Sequence, residues 1–433
     1  MNLQPFLSRR QRLFDHIGDG VAIIPTAAEV LRNRDTPYPY RPDSYFWYLS
    51  GFPEPEAVIV LLGGKNARAL LFCREKNVER EIWDGFRYGP TAACETFGFD
   101  EAWPIGEFEQ KLPELLANHP TLHFALGQNA VWDAKISKAR EFLHGQSRTG
   151  KQAPTQINDL RALLDSWRLV KDTHEIALMR RAAAITSAAH ARAMRASRPG
   201  LAEYALEAEI SHEFRCQGSS GHAFLPIVAG GANACVLHYI ENDKPLPDGA
   251  LVLIDAGCEL SGYAADVSRT FPVNGRFSAA QRDAYEIVLA AQAAAIAAIH
   301  PGVPFNTYHD AALRVLVQGM VDLHLLHGSV DGLIESEAYK PFYMHRTGHW
   351  LGLDVHDAGA YKTRDDAWIP LQAGMTLTVE PGLYIRPSPE VPQALHGIGI
   401  RIEDDVLVTT SGAEVYTDPP KTVAEIEAVM RST

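Results

Sequence analysis

Cysteine pairs, long apolar runs and an excess of positive charge are all missing from this chain of 433 residues. The five cysteines (Cys73, Cys94, Cys216, Cys235, Cys258) are scattered and form no C-x-x-C pair. That pattern argues against a disulfide framework and a thiolate zinc site, and it fits a reducing cytosol. No stretch reaches the ~18 uncharged apolar residues that span a bilayer. The opening MNLQPFLSRRQRLFDHIGDG carries no continuous apolar segment of the secretory kind. A cytoplasmic protein, neither secreted nor membrane-spanning, is expected. The formal net charge of −13 argues against nucleic acid as the main partner, because phosphate binding relies on clustered Lys and Arg. The small clusters Arg9/Arg10/Arg12 and Arg180/Arg181 suit solvated helix faces.

What is present describes an ordinary globular chain, 46% hydrophobic and 21% charged, long enough for two domains. Between residues 20 and 130 the runs GVAIIP, EAVIVLLGG, ARALLFCR and LHFALG predict buried strands alternating with helices, so residues 1–167 are assigned to a small α/β domain. No Gly-rich phosphate loop follows any of these runs. TPYPYRPDSYFWYLSGFPEPEA, dense in proline and aromatics, predicts an ordered loop with its rings packed inward. Apolar periodicity lapses near residue 150, and a charged helical stretch follows, in which Asp172 and Glu175 suit a capping box. The second domain, 168–433, mixes helices with strands of one kind, giving an α/β (α+β) protein overall.

Those strands share a peculiarity: each apolar run ends at, or runs through, an acid. ALVLIDAG holds Asp255, GYAADVSRTF holds Asp266, MTLTVEPG holds Glu380 and GIRIEDD holds Glu403. A carboxylate among apolar residues is costly to bury unless compensated. Singly, each suits a strand-end residue bonded to backbone amides or to an arginine. Together they need several cations, and these segments offer mainly Arg269 and Arg401. Two divalent ions would neutralise four carboxylates directly. With one imidazole added, such an oxygen-rich set favours Mn²⁺, with Co²⁺, Fe²⁺ or Zn²⁺ as alternatives. Two ions roughly 3.5–4 Å apart can share a water, lower its pKa and polarise a carbonyl, which is hydrolytic chemistry.

HRTGHWLGLDVHD, residues 345–357, supplies three histidines. Leu351, Leu353 and Val355 at period two predict a strand, with His345 and His349 on one side and His356 on the other. The helical H-E-x-x-H zinc reading fails, because position 346 is Arg and glycine interrupts the run.

Asp255, Asp266, His349, Glu380 and Glu403, in this order, resemble the ligand series of the pita-bread metallopeptidases, which include methionine aminopeptidase, prolidase and aminopeptidase P. LVLIDAGCELSGYAADVSRTFPVNGRFS, HWLGLDVHDAG, TLTVEPGLYI and GIGIRIEDDVLVT look like the aminopeptidase P branch. So do the N-terminal YPYRPDSYFWYLSGFPEPEAV and EIWDGFRYG. The resemblance covers nearly the whole chain. It implies a metallo-exopeptidase that removes an N-terminal residue followed by proline, using two metal ions, usually manganese, and a hydroxide shared between them. The five residues above would hold the ions, with Asp266 and Glu403 bridging and Glu380 also handling the proton of the attacking water. His238, His345 and His356 would lie on the substrate side, and Tyr384 and Arg401 would orient the ligands. Placing His356 there requires the predicted strand to end or bend near Asp354. One departure stands out: relatives often carry glycine after the histidine matching His345, whereas here Arg346 and Thr347 follow. The resemblance also implies a homo-oligomer, a tetramer or dimer, in which the N-terminal domain helps to wall the active site. Prolidase, restricted to dipeptides, is the nearest alternative, and a non-enzymatic pita-bread binding protein is a more distant one.

Overall fold

Short apolar runs separated by Gly, Pro and Asn turns form strands in both halves of the chain. The computed structural model describes residues 2–431 and divides into two units, Met1–Asp165 and Ser166–Thr433. The first unit begins with α1 (Gln4–Ile17), β1 (Val21–Pro25), the hairpin β2 (Leu31–Asn33) and β3 (Thr36–Pro37), and α2 (Ser44–Ser50). It continues with β4 (Val58–Leu62), β5 (Arg68–Cys73), α3 (Val78–Asp84), α4 (Gly89–Phe97) and β6 (Glu101–Pro104). α5 (Phe108–Leu116), β7 (Thr121–His123), α6 (Ala130–His144) and β8 (Gln156–Asn158) complete it. The main sheet runs β6-β5-β4-β1-β7-β8. Its two central strands, β1 and β4, pair antiparallel and are buried almost throughout, because helices cover both faces.

Two expectations for this unit need correction. The aromatic, proline-rich stretch contains a helix, α2, lodged in the proline-free interval between Pro42 and Pro53. Asp43 caps it, accepting from the amides of Tyr45 and Phe46, and Gly51 ends it at φ 63°. Its rings do pack inward, with Phe46, Tyr48 and Phe52 buried. Arg9 and Arg10 are also buried, not solvated. Their guanidinium groups donate to the carbonyls of Tyr48, Leu49 and Phe97, where α2 and α4 end and the helix itself offers the last carbonyls no amide donor.

α7 (Leu160–Leu169) and α8 (Thr173–Ala196) divide the predicted helical stretch in two. The capping box of Asp172 and Glu175 starts α8. After α9 (Glu203–Cys216) come β9 (Gly221–His222), β10 (Ile227–Gly230), β11 (Leu251–Asp255), β12 (Cys258–Leu260), β13 (Tyr263–Ala264) and β14 (Ser268–Pro272). Three helices follow, α10 (Ala279–Ala297), α11 (Thr307–Asp322) and α12 (Val330–Glu335). The last strands are β15 (Thr376–Val379), β16 (Gly382–Ile385), β17 (Ile398–Arg401), β18 (Asp404–Val408) and β19 (Ala413–Val415), and α13 (Val423–Arg431) ends the described chain. All strand pairs here are antiparallel: β10-β11-β14, β13-β12-β9, β15-β18-β19 and β16-β17. One continuous core joins these sheets to α8, α10 and α11.

Antiparallel pairing aligns the strand ends. In β11 and β14 Asp255 stands opposite Ser268, and Asp266 lies just before β14. The two aspartates approach because Gly257 lets the backbone pass Ala265: a Cβ there would lie 1.6 Å from the Ala265 carbonyl oxygen. Gly257→Ala is expected to cost ~3 kcal/mol or more through overpacking, read as a lower urea midpoint with a matching loss of soluble protein.

Candidate active site

Four strand ends deliver the acids to one place. Asp255 closes β11, Asp266 precedes β14, Glu380 follows β15 and Glu403 follows β17. Backbone bonds hold the last two in register, from Glu403 N to Ser268 O at 3.0 Å and from Glu380 N to Thr347 O at 2.7 Å. The segment around His349 runs beside β15, where Thr378 N donates to His349 O at 2.9 Å and Trp350 bridges Leu377. Gly348 permits this approach, since a Cβ would stand 1.9 Å from Thr378 O.

His349 Nδ1 lies 2.9 Å from the Trp350 carbonyl oxygen. A carbonyl only accepts, so Nδ1 carries the proton and Nε2 presents its lone pair to the acids. Nε2 stands 3.4 Å from Asp266 Oδ2 and 3.8 Å from Glu380 Oε1. One ligand atom each from Asp266, His349 and Glu403 falls within a 4.8 Å cluster.

Compensation within the protein is incomplete. Arg401 donates to Asp255 Oδ2 at 2.6 Å, to Tyr384 Oη at 3.0 Å and to Ser268 Oγ at 2.9 Å. Arg269, the other cation offered by these segments, is used by Asp404 at 2.7 Å. One positive charge therefore faces four carboxyl groups. Burial first, and the neighbouring acids second, push Asp266 and Glu403 well above the ordinary carboxyl range. Burial raises Glu380 to about 7. Asp255 Oδ1 and Asp266 Oδ1 are buried without a hydrogen-bond partner. Hard oxygen donors, one oriented imidazole and orphaned buried oxygens fit divalent ions.

The predicted strand through residue 355 is corrected. Its pairing to β15 reaches only Leu351, whose amide donates to Thr376 O at 3.2 Å, and the chain then folds back through residues 352–356. Asp357 drives the bend. It is buried, takes Arg168 at 2.6 Å and Lys171 at 3.0 Å, and accepts from Asp354 N at 3.2 Å. Arg168 also reaches Asp354 at 2.6 Å. The turn returns His356 to His349, ring centroids 4.2 Å apart and edge-on. Asp357→Ala would take the carboxylate from buried Lys171 and one acceptor from Arg168, which keeps Asp354; a loss of ~3–5 kcal/mol is expected, measurable by chemical denaturation.

His345 is bound at both ring nitrogens. Nδ1 donates to Arg346 O at 2.8 Å, so Nε2 accepts from Tyr384 Oη at 2.8 Å. Burial holds its pKa down to about 3, and the ring stays neutral. His356 is also lowered, by burial and then by His349 and His238. His238, His345 and His356 line, with the acids, one cavity of about 1140 Å³. Its lining also includes the apolar side chains of Phe224, Leu225, Ile227, Leu237 and Ile240.

Sequence reasoning missed Ser268, whose hydroxyl donates to Glu403 Oε2 at 2.8 Å while accepting from Arg401. It also missed Asp357 with its two cations. Serine beside an aspartate carries no distinctive signal, and the partners of Asp357 lie 186 and 189 residues away.

Residues 177–410 match Metallopeptidase family M24, and residues 6–123 match the aminopeptidase P N-terminal domain. The chain belongs to the M24 metallopeptidases. It is 46% identical over 431 residues to the Xaa-Pro aminopeptidase of Escherichia coli strain K12, covering 99% of this chain and 97% of that one. Its fold matches the aminopeptidase PepP of Pseudomonas aeruginosa with a TM-score of 0.98 at 48% identity, covering 100% and 98% of the two chains. The zinc-substituted aminopeptidase P of Escherichia coli in complex with product matches at 0.97 and 45% identity, covering 100% and 99%.

Metal loading should depend on pH. Glu380, raised from 4.5 to about 7, stabilises the metal-free fold below 4.5 and loses that contribution as pH rises through 7. A divalent ion held at Glu380 would displace those protons. The gain in melting temperature on adding Mn²⁺ to chelated protein is expected to widen across this interval, measured by differential scanning fluorimetry at fixed ionic strength.

Proposed function

We propose that this protein is a Xaa-Pro aminopeptidase, a dinuclear metal hydrolase that cleaves the N-terminal residue from peptides with proline second. The observation that carries this reading is four converging carboxyl groups met by a single arginine, beside an oriented imidazole, in a cavity large enough for a peptide end. Asp255, Asp266, His349, Glu380 and Glu403 would hold two ions, manganese before zinc, cobalt or iron. The zinc-substituted relative supports a divalent site. When bound, such ions lower the pKa of water and polarise a scissile carbonyl.

The chain's own groups supply the rest. Glu380 borders the cavity and accepts the proton of the attacking water, which it returns to the proline nitrogen as the peptide bond breaks. His356 reaches the same cavity from its turn and donates to the oxygen as negative charge develops. His238 lines the wall beside it and can hydrogen-bond the peptide backbone. Tyr384 and Arg401 keep Asp255 and His345 in place through the bonds described above. A proline nitrogen has no N–H, so selection rests on shape, with the apolar side chains of Phe224, Leu225 and Leu237 excluding water.

Among the described residues no helix is long and apolar enough to cross a membrane, and all five cysteines are free, which supports a cytoplasmic setting. Homo-oligomerisation, as dimer or tetramer, is supported by apolar side chains left bare around α3, where Ile82, Trp83 and Phe86 are 78%, 83% and 65% exposed.

Hydrolysis of Arg-Pro-Pro and Gly-Pro after chelation and re-addition of single metals tests the reading. Restored cleavage of the tripeptide supports it, cleavage of the dipeptide alone identifies a prolidase, and cleavage of neither overturns both. Asp255→Asn is expected to lower metal stoichiometry, and Glu380→Gln to lower kcat by about 10²–10⁴-fold.

A further inference from the structure

The cavity that the acids line also carries two groups of opposite sign. Arg346 and Lys362 line it together with Trp368. A small hairpin carries Lys362 and Trp368, which pair in an antiparallel bridge, and Ile369 N donates to Tyr361 O at 3.1 Å. Trp368 stacks on the buried Phe305 at 6.2 Å, so the ring is anchored to the core. Both cations lie over that ring, Arg346 Cζ at 4.5 Å and Lys362 Nζ at 4.8 Å from its centroid. The indole thus holds two like charges near one ring, where cation–π attraction offsets part of their repulsion.

Neither cation is fully used within the protein. Arg346 donates to the neutral amide oxygen of Asn306, and among the described residues no carboxylate forms an ion pair with it. Lys362 meets Asp366 at 2.7 Å, but that aspartate side chain is 83% exposed and is worth little as a partner. A guanidinium fork and an ammonium held by one aromatic ring on the cavity lining suit a carboxylate. The same pair repels the α-ammonium of a peptide. The end of the substrate that meets this pair is therefore the one beyond the proline.

We propose that Arg346 and Lys362, held on Trp368, form a subsite for a carboxylate downstream of the proline. An acidic third residue or the terminal carboxylate of a tripeptide would supply it. This rests on the proline-peptidase reading of the same cavity, and Arg346 is the specificity-determining residue.

The test uses manganese-loaded enzyme and three peptide pairs. Ala-Pro-Glu-amide against Ala-Pro-Gln-amide isolates the side chain. Ala-Pro-Ala against Ala-Pro-Ala-amide isolates the terminus, and Glu-Pro-Ala-amide against Gln-Pro-Ala-amide is the first-residue control. The charged member of the first or second pair is expected to show about tenfold higher kcat/KM, mainly through KM, the scale of one charge-assisted hydrogen bond. Which pair responds identifies the source of the carboxylate. Arg346→Glu should reverse the preference toward Ala-Pro-Lys-amide, and Lys362→Gln should weaken it, whereas a purely structural role would reverse nothing. Calorimetry of the same pairs on manganese-loaded Glu380→Gln protein reads the subsite without turnover. Charge-selective binding without cleavage in the wild type overturns the peptidase reading alone. Equal binding of both members, a preference that survives Arg346→Glu, or discrimination confined to the first-residue pair overturns the subsite.

Discussion

Mutual repulsion among four clustered carboxyl groups, two buried and two half-buried, is the constraint around which the second unit is organised. Asp255, Asp266, Glu380 and Glu403 share one cation, Arg401, while Arg269 and Lys421 are spent on Asp404. Without another positive partner the fold raises the pKa values of Asp266, Glu380 and Glu403, that of Glu380 to about 7. Metal affinity and local destabilisation are thus two descriptions of one charge imbalance.

The surrounding architecture holds that imbalance in place. Each acid sits at the end of a short strand, so antiparallel register sets its position, and glycine at 257 and 348 lets backbones approach where any side chain would collide. Hydrogen bonds from Ser268 and Arg401 fix the orientation of individual oxygens. Proton positions follow: Arg401 donates to Tyr384, Tyr384 to His345, and His345 to a backbone carbonyl, each link determined by the one before it.

Legibility in the sequence followed the range of the interactions involved. The acids were readable because a carboxylate inside LVLID or TLTVE violates local apolar patterning, and the M24 relationship places the whole chain in the family that the motif order suggested. The Asp172 cap was readable because its partner lies three residues on. Helix α2 was hidden by flanking prolines that in fact bound it. The burial of Arg9 and Arg10 depends on helix ends 39 and 87 residues distant. Periodicity predicts continuing strand at 352–356, because the ion pairs of Asp357 with Arg168 and Lys171 leave no trace in it.

Residue 346 contributes to the cavity through two different parts of itself. Its carbonyl closes the hydrogen-bond chain that begins at Asp255, and its side chain lies on Trp368. Every amino acid supplies that carbonyl. The bond to His345 therefore survives any substitution at this position, so the side chain can be exchanged without breaking a link of that chain.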